Sequence, residues 1–159
     1  AEDWKHLVPR RHWYDAVEEA EENVNLNIET DIQGYDIDPE AIKAARANAR
    51  SAGVDRLIHF QQRAVKDLRH PKPYGFVITN PPYGERLEEK AELPRLYQEI
   101  GESFRHLDKW SMYLITSYEN AERDIGRKAD KNRKIYNGML KTYYYQFPGP
   151  KPPRREHQI

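Results

Sequence analysis

A stretch that predicts a buried strand and ends in two consecutive prolines is the feature that most constrains the fold of this chain. Residues 74–79 form a continuous apolar run, typical of a strand buried on both faces of a sheet. Asn80-Pro81-Pro82-Tyr83 follow at once. Because each proline lacks a backbone N–H and has a fixed φ, these residues can continue neither a strand nor a helix. The sequence therefore predicts a stiff polar segment, here named the diproline loop (residues 80–83), directly after a central strand.

Strand and helix patterns alternate around this loop. Helices are predicted over residues 13–23, 39–52, 93–107 and 120–127, and strands over residues 28–37, 57–61 and 110–117. Asp38 is a suitable N-cap for the second helix, with Pro39 in its first turn. The Asn137-Gly138 pair predicts a hairpin between strands at 133–136 and 139–147. This order predicts a three-layer α/β fold, with a mostly parallel sheet and a C-terminal antiparallel hairpin at its edge.

Composition excludes several kinds of protein. The 159-residue chain has no cysteine, which excludes disulfides, zinc ribbons, iron–sulfur clusters and cysteine nucleophiles. Its histidines are scattered without the spacing of metal ligands, so no metal site is predicted. No apolar run is long enough to span a membrane, and the first residues lack the apolar core of a signal peptide. We therefore expect a soluble cytoplasmic domain without a membrane partner.

Charge is distributed unevenly, although the formal net charge is zero. Residues 1–122 have a balance of −7, and residues 123–159 have a balance of +7. A basic C-terminal part can bind RNA in a salt-sensitive manner, with contributions predicted from five cations, Arg127, Lys128, Lys131, Arg133 and Lys134. The alternative is a solvated hairpin and tail without a partner. In either case residues 151–159 are expected to form a flexible basic tail.

The diproline loop has the groups needed to bind an exocyclic amine. The Asn80 side-chain oxygen and a proline carbonyl can together accept both hydrogens of a planar NH2 group. The Tyr83 ring can stack on the base, at about 1–3 kcal/mol. This arrangement frees the nitrogen lone pair to attack an electrophilic methyl group, and no general base is needed before the attack. Alternatively, the prolines form only a rigid turn and Asn80 caps a strand.

A second polar segment, Asp36-Ile37-Asp38, lies at the end of another predicted strand. In open α/β sheets ligands bind outside the carboxyl ends of the strands, where both segments are expected. Asp36 can accept hydrogen bonds from ribose hydroxyls, and Ile37 can lie against an adenine ring. Alternatively, Asp36 is only a turn residue, as Asp38 is expected to be a helix cap.

Other side chains give weaker indications. Tyr143, Tyr144 and Tyr145 could stack on bases, although aromatic residues of an edge strand more often pack on the neighbouring strand. Arg86 could bind a phosphate or form a surface salt bridge.

Three segments together resemble one known family in their order and spacing: residues 34–39 (GYDIDP), 79–87 (TNPPYGERL) and 134–138 (KIYNG). Over residues 1–150 the chain resembles the methyltransferase domain of the THUMP-associated RNA methylases, a group often labelled N6-adenine-specific DNA methylases. It is most similar to the bacterial 23S rRNA guanine-N2 methyltransferases.

The resemblance implies a Rossmann-like class I methyltransferase that uses S-adenosylmethionine and acts on RNA, with a target base swung out of its stack. It assigns cofactor binding to Asp36 for the ribose, Ile37 for the adenine, Ala64 and Asn80. It assigns the catalytic segment to Asn80, Pro81, Pro82 and Tyr83, with Asn80 as the principal catalytic residue.

The chain departs from the family pattern in two ways. It lacks the family's first motif, an Asp-Pro-x-Cys-Gly-Ser-Gly-like strand and loop, together with the RNA-binding THUMP region before it. We therefore expect a fragment that is inactive alone, binds S-adenosylmethionine weakly or not at all, and self-associates through unpaired sheet edges. Ala64 stands where related enzymes often have an acidic residue that contacts the adenine amine, which leaves that contact open.

The resemblance implies a methyltransferase that modifies guanine N2 in 23S rRNA. One alternative is an N6-adenine methyltransferase on DNA or RNA, since the same loop can bind either amine. The other is a non-catalytic RNA-binding module of the same fold.

Overall fold

The structure is a computed structural model, and it describes residue 3, residues 6–84 and residues 87–153, except for the side chains of residues 87–89 and 137. Arg86 and residues 154–159 of the tail predicted at 151–159 lie outside the described residues. The chain divides into two compact units. Residues 1–34 and 38–61 belong to the first unit, and residues 35–37 and 62–159 belong to the second.

The first unit has alternating helices and strands. Its elements are α1 (Arg10–Glu22), β1 (Ile32–Asp36), α2 (Pro39–Ser51) and β2 (Ile58–Gln62), and β1 and β2 form a two-stranded sheet whose last residues belong to the second unit. The predicted start of α2 is confirmed, because the Asp38 carboxylate accepts a hydrogen bond of 2.9 Å from the Glu40 N–H and Pro39 begins the helix. Helix α1 begins three residues earlier than predicted, directly after Pro9, and buries none of its side chains.

The second unit contains a four-stranded mixed sheet. Its strands are β3 (Phe76–Thr79), β4 (Ser111–Thr116), β5 (Lys131–Asn137) and β6 (Leu140–Phe147), in the spatial order β3-β4-β6-β5. β3 and β4 are parallel, whereas β6 is antiparallel to both β4 and β5. The predicted C-terminal hairpin is thus present.

The hairpin turn lies one residue later than predicted. Asn137 pairs with Leu140, so Gly138 and Met139 form the turn instead of Asn137 and Gly138. Gly138 has a φ of 61°, which suits the first central position of a two-residue hairpin turn. The asparagine, with its ordinary strand pairing, can stay in β5.

The core lies between one face of the four-stranded sheet and two helices, α3 (Leu87–Arg105) and α4 (Ala121–Ile125). Sheet and helix residues of this cluster are almost completely buried, among them Met112, Leu114, Phe147, Tyr97 and Ile125. α3 and α4 approach closely at Gly101, where an added Cβ would lie 2.2 Å from the Ile125 carbonyl oxygen. A larger residue at 101 would therefore push the helices apart.

The prediction that residues 74–79 are buried on both faces is wrong. The exposed fraction of Phe76 is 67% and that of Ile78 is 82%, while Val77 and Thr79 between them are half-buried. β3 is the edge strand of its sheet, and α3 and α4 cover only the face to which Val77 and Thr79 point. On the other face, the Phe76 ring lies beside the Tyr113 ring, with 6.2 Å between the ring centroids.

α3 differs from its prediction at its start. The sequence placed Pro94 near the beginning of the helix, but α3 begins at Leu87 and Pro94 lies inside it. Proline has no N–H, so the Lys90 carbonyl lacks its usual intrahelical donor.

In the described part of the chain, no helix is both long and apolar enough to cross a membrane.

Candidate functional site

Two strand ends carry the residues singled out in the sequence. The diproline loop follows β3, and Asp36 and Ile37 stand at the end of β1. The two strands belong to different sheets, but both strand ends lie in the second compact unit.

Within the diproline loop, Asn80 and Tyr83 contact each other. Asn80 is exposed and Tyr83 is half-buried, and the Tyr83 hydroxyl donates a hydrogen bond to Asn80 Oδ1. A carboxamide oxygen has two lone pairs, so it can accept a second hydrogen bond from a ligand. The contact also directs the Asn80 oxygen toward the tyrosine.

The backbone of the loop is held from the core by Tyr97 of α3. The Tyr97 hydroxyl donates to the Pro82 carbonyl oxygen at 3.3 Å, and its oxygen lies 2.5 Å from Thr116 Oγ1. Thr116 Oγ1 in turn accepts a 3.0 Å hydrogen bond from the Tyr118 N–H. With one hydrogen on each hydroxyl, the order that satisfies these groups runs from the Tyr118 N–H through Thr116 and Tyr97 to Pro82.

Two hydroxyl groups link this series of hydrogen bonds, those of Tyr97 and Thr116. Both side chains are fully buried, each with an exposed fraction of 0%. Burial raises the pKa of the Tyr97 hydroxyl far above its ordinary value, so this group remains a donor over the whole range in which proteins work. The loop is thus tied to a rigid and permanently protonated partner.

A second layer supports Tyr97. The Tyr118 ring lies 4.7 Å from the Tyr97 ring between centroids, and the Tyr118 hydroxyl donates to Asp124 Oδ2 at 2.5 Å. The Arg123 guanidinium, and after it the Tyr118 hydroxyl, hold the pKa of the Asp124 carboxyl below its usual range. Burial raises the pKa of Tyr118, and its bond to Asp124 acts in the same direction.

The sequence analysis missed this support. Tyr97 lay within the helix predicted over residues 93–107 and Thr116 within the strand predicted over residues 110–117, and neither was singled out. A tyrosine and a threonine that contribute to a core look the same in the sequence whether or not their hydroxyls have a partner. The one available signal was that Thr116 ends β4, the strand parallel to β3, and therefore lies at the same end of the sheet as the loop.

Gly84 ends the loop for a steric reason. Its φ is 76°, and a Cβ at this position would lie 2.6 Å from Leu93 Cδ1. Only glycine can both adopt this backbone conformation and fit beside Leu93 where the chain leaves the loop.

The end of β1 is fixed through backbone groups. The Arg63 N–H donates to the Asp36 carbonyl oxygen at 2.9 Å, and Gln62 Nε2 donates to the Ile37 carbonyl oxygen at 3.0 Å. The Asp36 side chain is exposed, and the exposed fraction of Ile37 is 70%. Ala64 is half-buried at the start of a 3₁₀ turn (Val65–Asp67).

These residues fit the nucleoside part of S-adenosylmethionine. An exposed carboxylate at a strand end can accept two ribose hydroxyl hydrogens, and an exposed Ile37 offers an apolar surface to a flat ring. Ala64 has no side-chain acceptor, so it can only contact an adenine through its methyl group and backbone. Asp36 and Ile37 therefore suit the ribose and the adenine, respectively.

The three tyrosines that gave weaker indications in the sequence pack against other residues of the protein. Tyr145 is buried in the core, and Tyr144 stacks on Tyr113 with 6.0 Å between ring centroids. Tyr143 is half-buried against the core cluster. The described residues contain no group of three or more histidine, cysteine, aspartate or glutamate side chains that could hold a metal ion.

Known proteins share both the sequence and the fold. The family model UPF0020, described as an RMKL-like methyltransferase domain, matches residues 1–146. The relative named RNA methyltransferase YpsC of Bacillus subtilis (strain 168) is 44% identical over 147 residues, which are 92% of this chain and 38% of that protein.

The ribosomal RNA large subunit methyltransferase K/L of Shewanella oneidensis is 36% identical over 143 residues, covering 85% of this chain and 20% of the relative. The chain thus spans well under half of either relative. The solved structure of SMU.472, a methyltransferase complexed with SAH, matches with a TM-score of 0.82 and 39% identity, over 96% of this chain and 40% of that one.

Proposed function

The chain belongs to the UPF0020 family of RMKL-like methyltransferase domains, and from this premise we propose that it methylates an exocyclic amine of an RNA base, with guanine N2 of 23S rRNA as the target. The predicted family, the class I methyltransferase fold and S-adenosylmethionine as the methyl donor are confirmed. The base, its position in the RNA and the roles of the site residues are part of the proposal.

One observation carries the proposal: the diproline loop follows a strand end, is exposed at Asn80, and is held from beneath by the buried Tyr97 hydroxyl. A loop that served only as a turn would not need its second proline to be fixed by two fully buried hydroxyl groups, those of Tyr97 and Thr116. Fixed acceptors are what an attacking amine requires, because a reacting nitrogen must be held within about 3–3.5 Å of the group that it attacks.

In the proposed reaction, Asn80 Oδ1 and a proline carbonyl accept the two hydrogens of the amine. Tyr83 directs Asn80 through its hydroxyl and stacks on the base through its ring face. S-adenosylmethionine supplies the methyl group when it is bound. The nitrogen lone pair would form the new N–C bond as the methyl–sulfur bond breaks, with S-adenosylhomocysteine as the leaving group. The extra proton would then pass from the cationic product to water, so the chain's residues need not remove a proton beforehand.

Asp36 and Ile37 would position the cofactor. The carboxylate of Asp36 would accept from the ribose hydroxyls, while Ile37 and Ala64 would line the adenine. The names of the relatives support RNA as the substrate, because both describe RNA methyltransferases.

The test is nucleoside analysis. The full-length gene product that contains this chain is incubated with large-subunit ribosomal RNA and methyl-labelled S-adenosylmethionine, and the RNA is digested to nucleosides. We expect the label in N2-methylguanosine. Label in N6-methyladenosine would replace the proposed base by adenine, and the absence of label in any base would favour a non-catalytic RNA-binding module.

A further inference from the structure

A cleft of about 480 Å³ lies at the end of the four-stranded sheet opposite the diproline loop. Its walls include Lys109 and Trp110, which directly precede β4, and Pro148, which directly follows β6. The diproline loop follows the other end of β3, the strand parallel to β4. Because six strand residues span about 20 Å, the cleft and the loop are separated by roughly that length of sheet.

The cleft is basic. Three cations line it, Arg105, Lys109 and Arg127, and its lining residues include no aspartate or glutamate. We name it the basic cleft. Three positive charges around a concave surface attract an anionic ligand, and more strongly if the ligand carries several charges.

Neutral groups hold two of these cations in place. Arg105 Nη1 donates to the Ile125 carbonyl oxygen at 3.4 Å. The Lys109 ammonium lies 5.1 Å from the centroid of the Tyr74 ring. Neither contact neutralises the charge, so both side chains keep their attraction for an anion.

The third cation, Arg127, lies over the rings of Phe104 and Phe147, at 5.8 and 5.7 Å from their centroids. It also pairs with Asp130 at 3.2 Å, and both side chains of that pair are about half exposed. An exposed pair of this kind is weak and gives way to a better ligand.

Backbone strain adds a separate indication. Tyr74 and Lys109, with φ values of 62° and 60°, are the two non-glycine residues with positive φ in the described chain, and they contact each other. This conformation is unfavourable for residues with a Cβ, and it concentrates at functional sites. Gly149 fixes the segment from the other side, since a Cβ there would lie 2.6 Å from the Lys109 carbonyl oxygen.

We propose that the basic cleft binds phosphate groups of the RNA backbone, at a distance of several nucleotides from the base that enters the diproline loop. The proposal rests on the proposed function, because it takes RNA as the substrate. It also changes an earlier expectation, since Arg127 would act together with Arg105 and Lys109 and not only with the cations of the C-terminal hairpin.

The test measures RNA affinity against salt concentration. The full chain binds a fluorescent single-stranded RNA of about 30 nucleotides, and the variant R105Q/K109Q/R127Q is compared with the control K43Q/R50Q/R56Q, which removes three exposed cations of the first unit. Each lost phosphate contact lowers the slope of log K against log salt by about 0.7 and the affinity at 0.1 M salt by about fivefold. We therefore expect a slope lower by about 2 and a loss of about hundredfold, with at most a severalfold loss in the control.

A single substitution separates the effect of a lost charge on RNA affinity from an effect on folding. Lys109→Gly removes the cation and also relieves the positive φ, so the melting temperature should stay the same or rise while RNA affinity falls about fivefold. Lys109→Arg should retain the affinity. If both the triple variant and Lys109→Gly bind RNA like the control variant, the basic cleft does not bind RNA, and an acidic protein partner becomes its remaining ligand class.

This outcome is independent of the methylation assay. Weaker RNA binding by the cleft variants together with no methylated guanine would overturn the proposed function and leave the cleft as an RNA site. Normal methylation with unchanged RNA binding would overturn the cleft alone.

Discussion

The diproline loop and the end of β1 carry the two halves of the candidate site, and they are supported in different ways. The loop is held by a side chain from beneath, because the fully buried Tyr97 hydroxyl donates to the Pro82 carbonyl. The end of β1 is held by β2 and the residue after it, through the bonds of Arg63 and Gln62 to backbone carbonyls. The two residues proposed to bind the cofactor there, Asp36 and Ile37, are exposed.

The difference matches what each half is proposed to do. An amine that attacks a methyl group needs acceptors fixed to within a few tenths of an ångström, and a buried hydroxyl chain supplies this rigidity before the substrate arrives. Recognition of a ribose by a carboxylate tolerates more movement, because the ligand's own hydroxyls can adjust. The two halves should therefore respond differently to substitution.

The largest effect is expected at Asn80. Asn80→Ala removes the side-chain acceptor for the amine, and methyl transfer by the full-length gene product should fall at least a hundredfold, equivalent to about 2.7 kcal/mol of barrier. Single-turnover transfer of labelled methyl groups measures the loss. Asn48→Ala, an exposed asparagine of α2, is the control and should retain full activity. Equal rates for both variants would contradict the catalytic role of Asn80.

At the end of β1, Asp36→Ala should weaken cofactor binding by ten- to a hundredfold, since a hydrogen bond to a charged group contributes about 1.5–3 kcal/mol. Calorimetry with S-adenosylmethionine and the full-length gene product measures this change.

Asp38→Ala is the matched control, because Asp38 caps α2 two residues further along the chain. Its loss should lower the free energy of unfolding by about 1 kcal/mol and leave cofactor affinity unchanged. A similar loss of affinity in both variants would mean that Asp36 acts only through the local backbone.

Tyr97→Phe tests the buried support of the loop. It leaves the Pro82 carbonyl and the Thr116 hydroxyl without their partner, which should cost about 1–3 kcal/mol of stability. We expect kcat to fall by roughly tenfold as the loop loses its fixed position, with KM and cofactor affinity little changed. Tyr118→Phe removes a hydroxyl of the same core that does not contact the loop, and its kcat should stay closer to that of the unaltered protein.

The dependence of the free energy of unfolding on alkaline pH provides a second test of Tyr97. Burial raises its pKa in the folded protein, so above pH 10 the unfolded chain loses this proton while the folded chain keeps it. The free energy of unfolding should therefore decrease above pH 10 by up to about 1.4 kcal/mol per pH unit from this group, and Tyr97→Phe should lose that component. Identical alkaline profiles would show that Tyr97 is not protonated and bonded as described.

The smallest effect is expected from a gain of function at Ala64. Ala64→Asp would restore an acceptor for the adenine amine, and it would also cap the 3₁₀ turn, whose first residue has no side-chain cap. Cofactor affinity should rise about threefold to tenfold, as one added hydrogen bond contributes about 0.5–1.5 kcal/mol. Ala64→Asn and Ala64→Leu provide a neutral acceptor and an apolar control. Unchanged affinity in the aspartate variant would place Ala64 away from the adenine.

The sequence was sufficient for the features that depend on local chemistry. Asp38 and Pro39 specified the start of α2, and the alternation of patterns specified the class of fold. The roles of Asn80 and Asp36 stay predictions that the experiments above test.

Features that depend on distant partners could not be read from the sequence. The exposure of Phe76 and Ile78 depends on what lies over that face of the sheet, and the apolar pattern is the same in either case. The hydroxyl chain beneath the loop joins Tyr97, Thr116 and Pro82, which are up to 34 residues apart, so no local pattern specifies it.

Pro94 gives α3 two parts that can open separately. The missing bond to the Lys90 carbonyl removes one barrier to opening the turns before it, while Tyr97 and the following turns stay anchored in the core. Leu93, at the border, packs beside Gly84 at the exit of the diproline loop. Amide hydrogens ahead of Pro94 should therefore exchange with solvent sooner than those behind it.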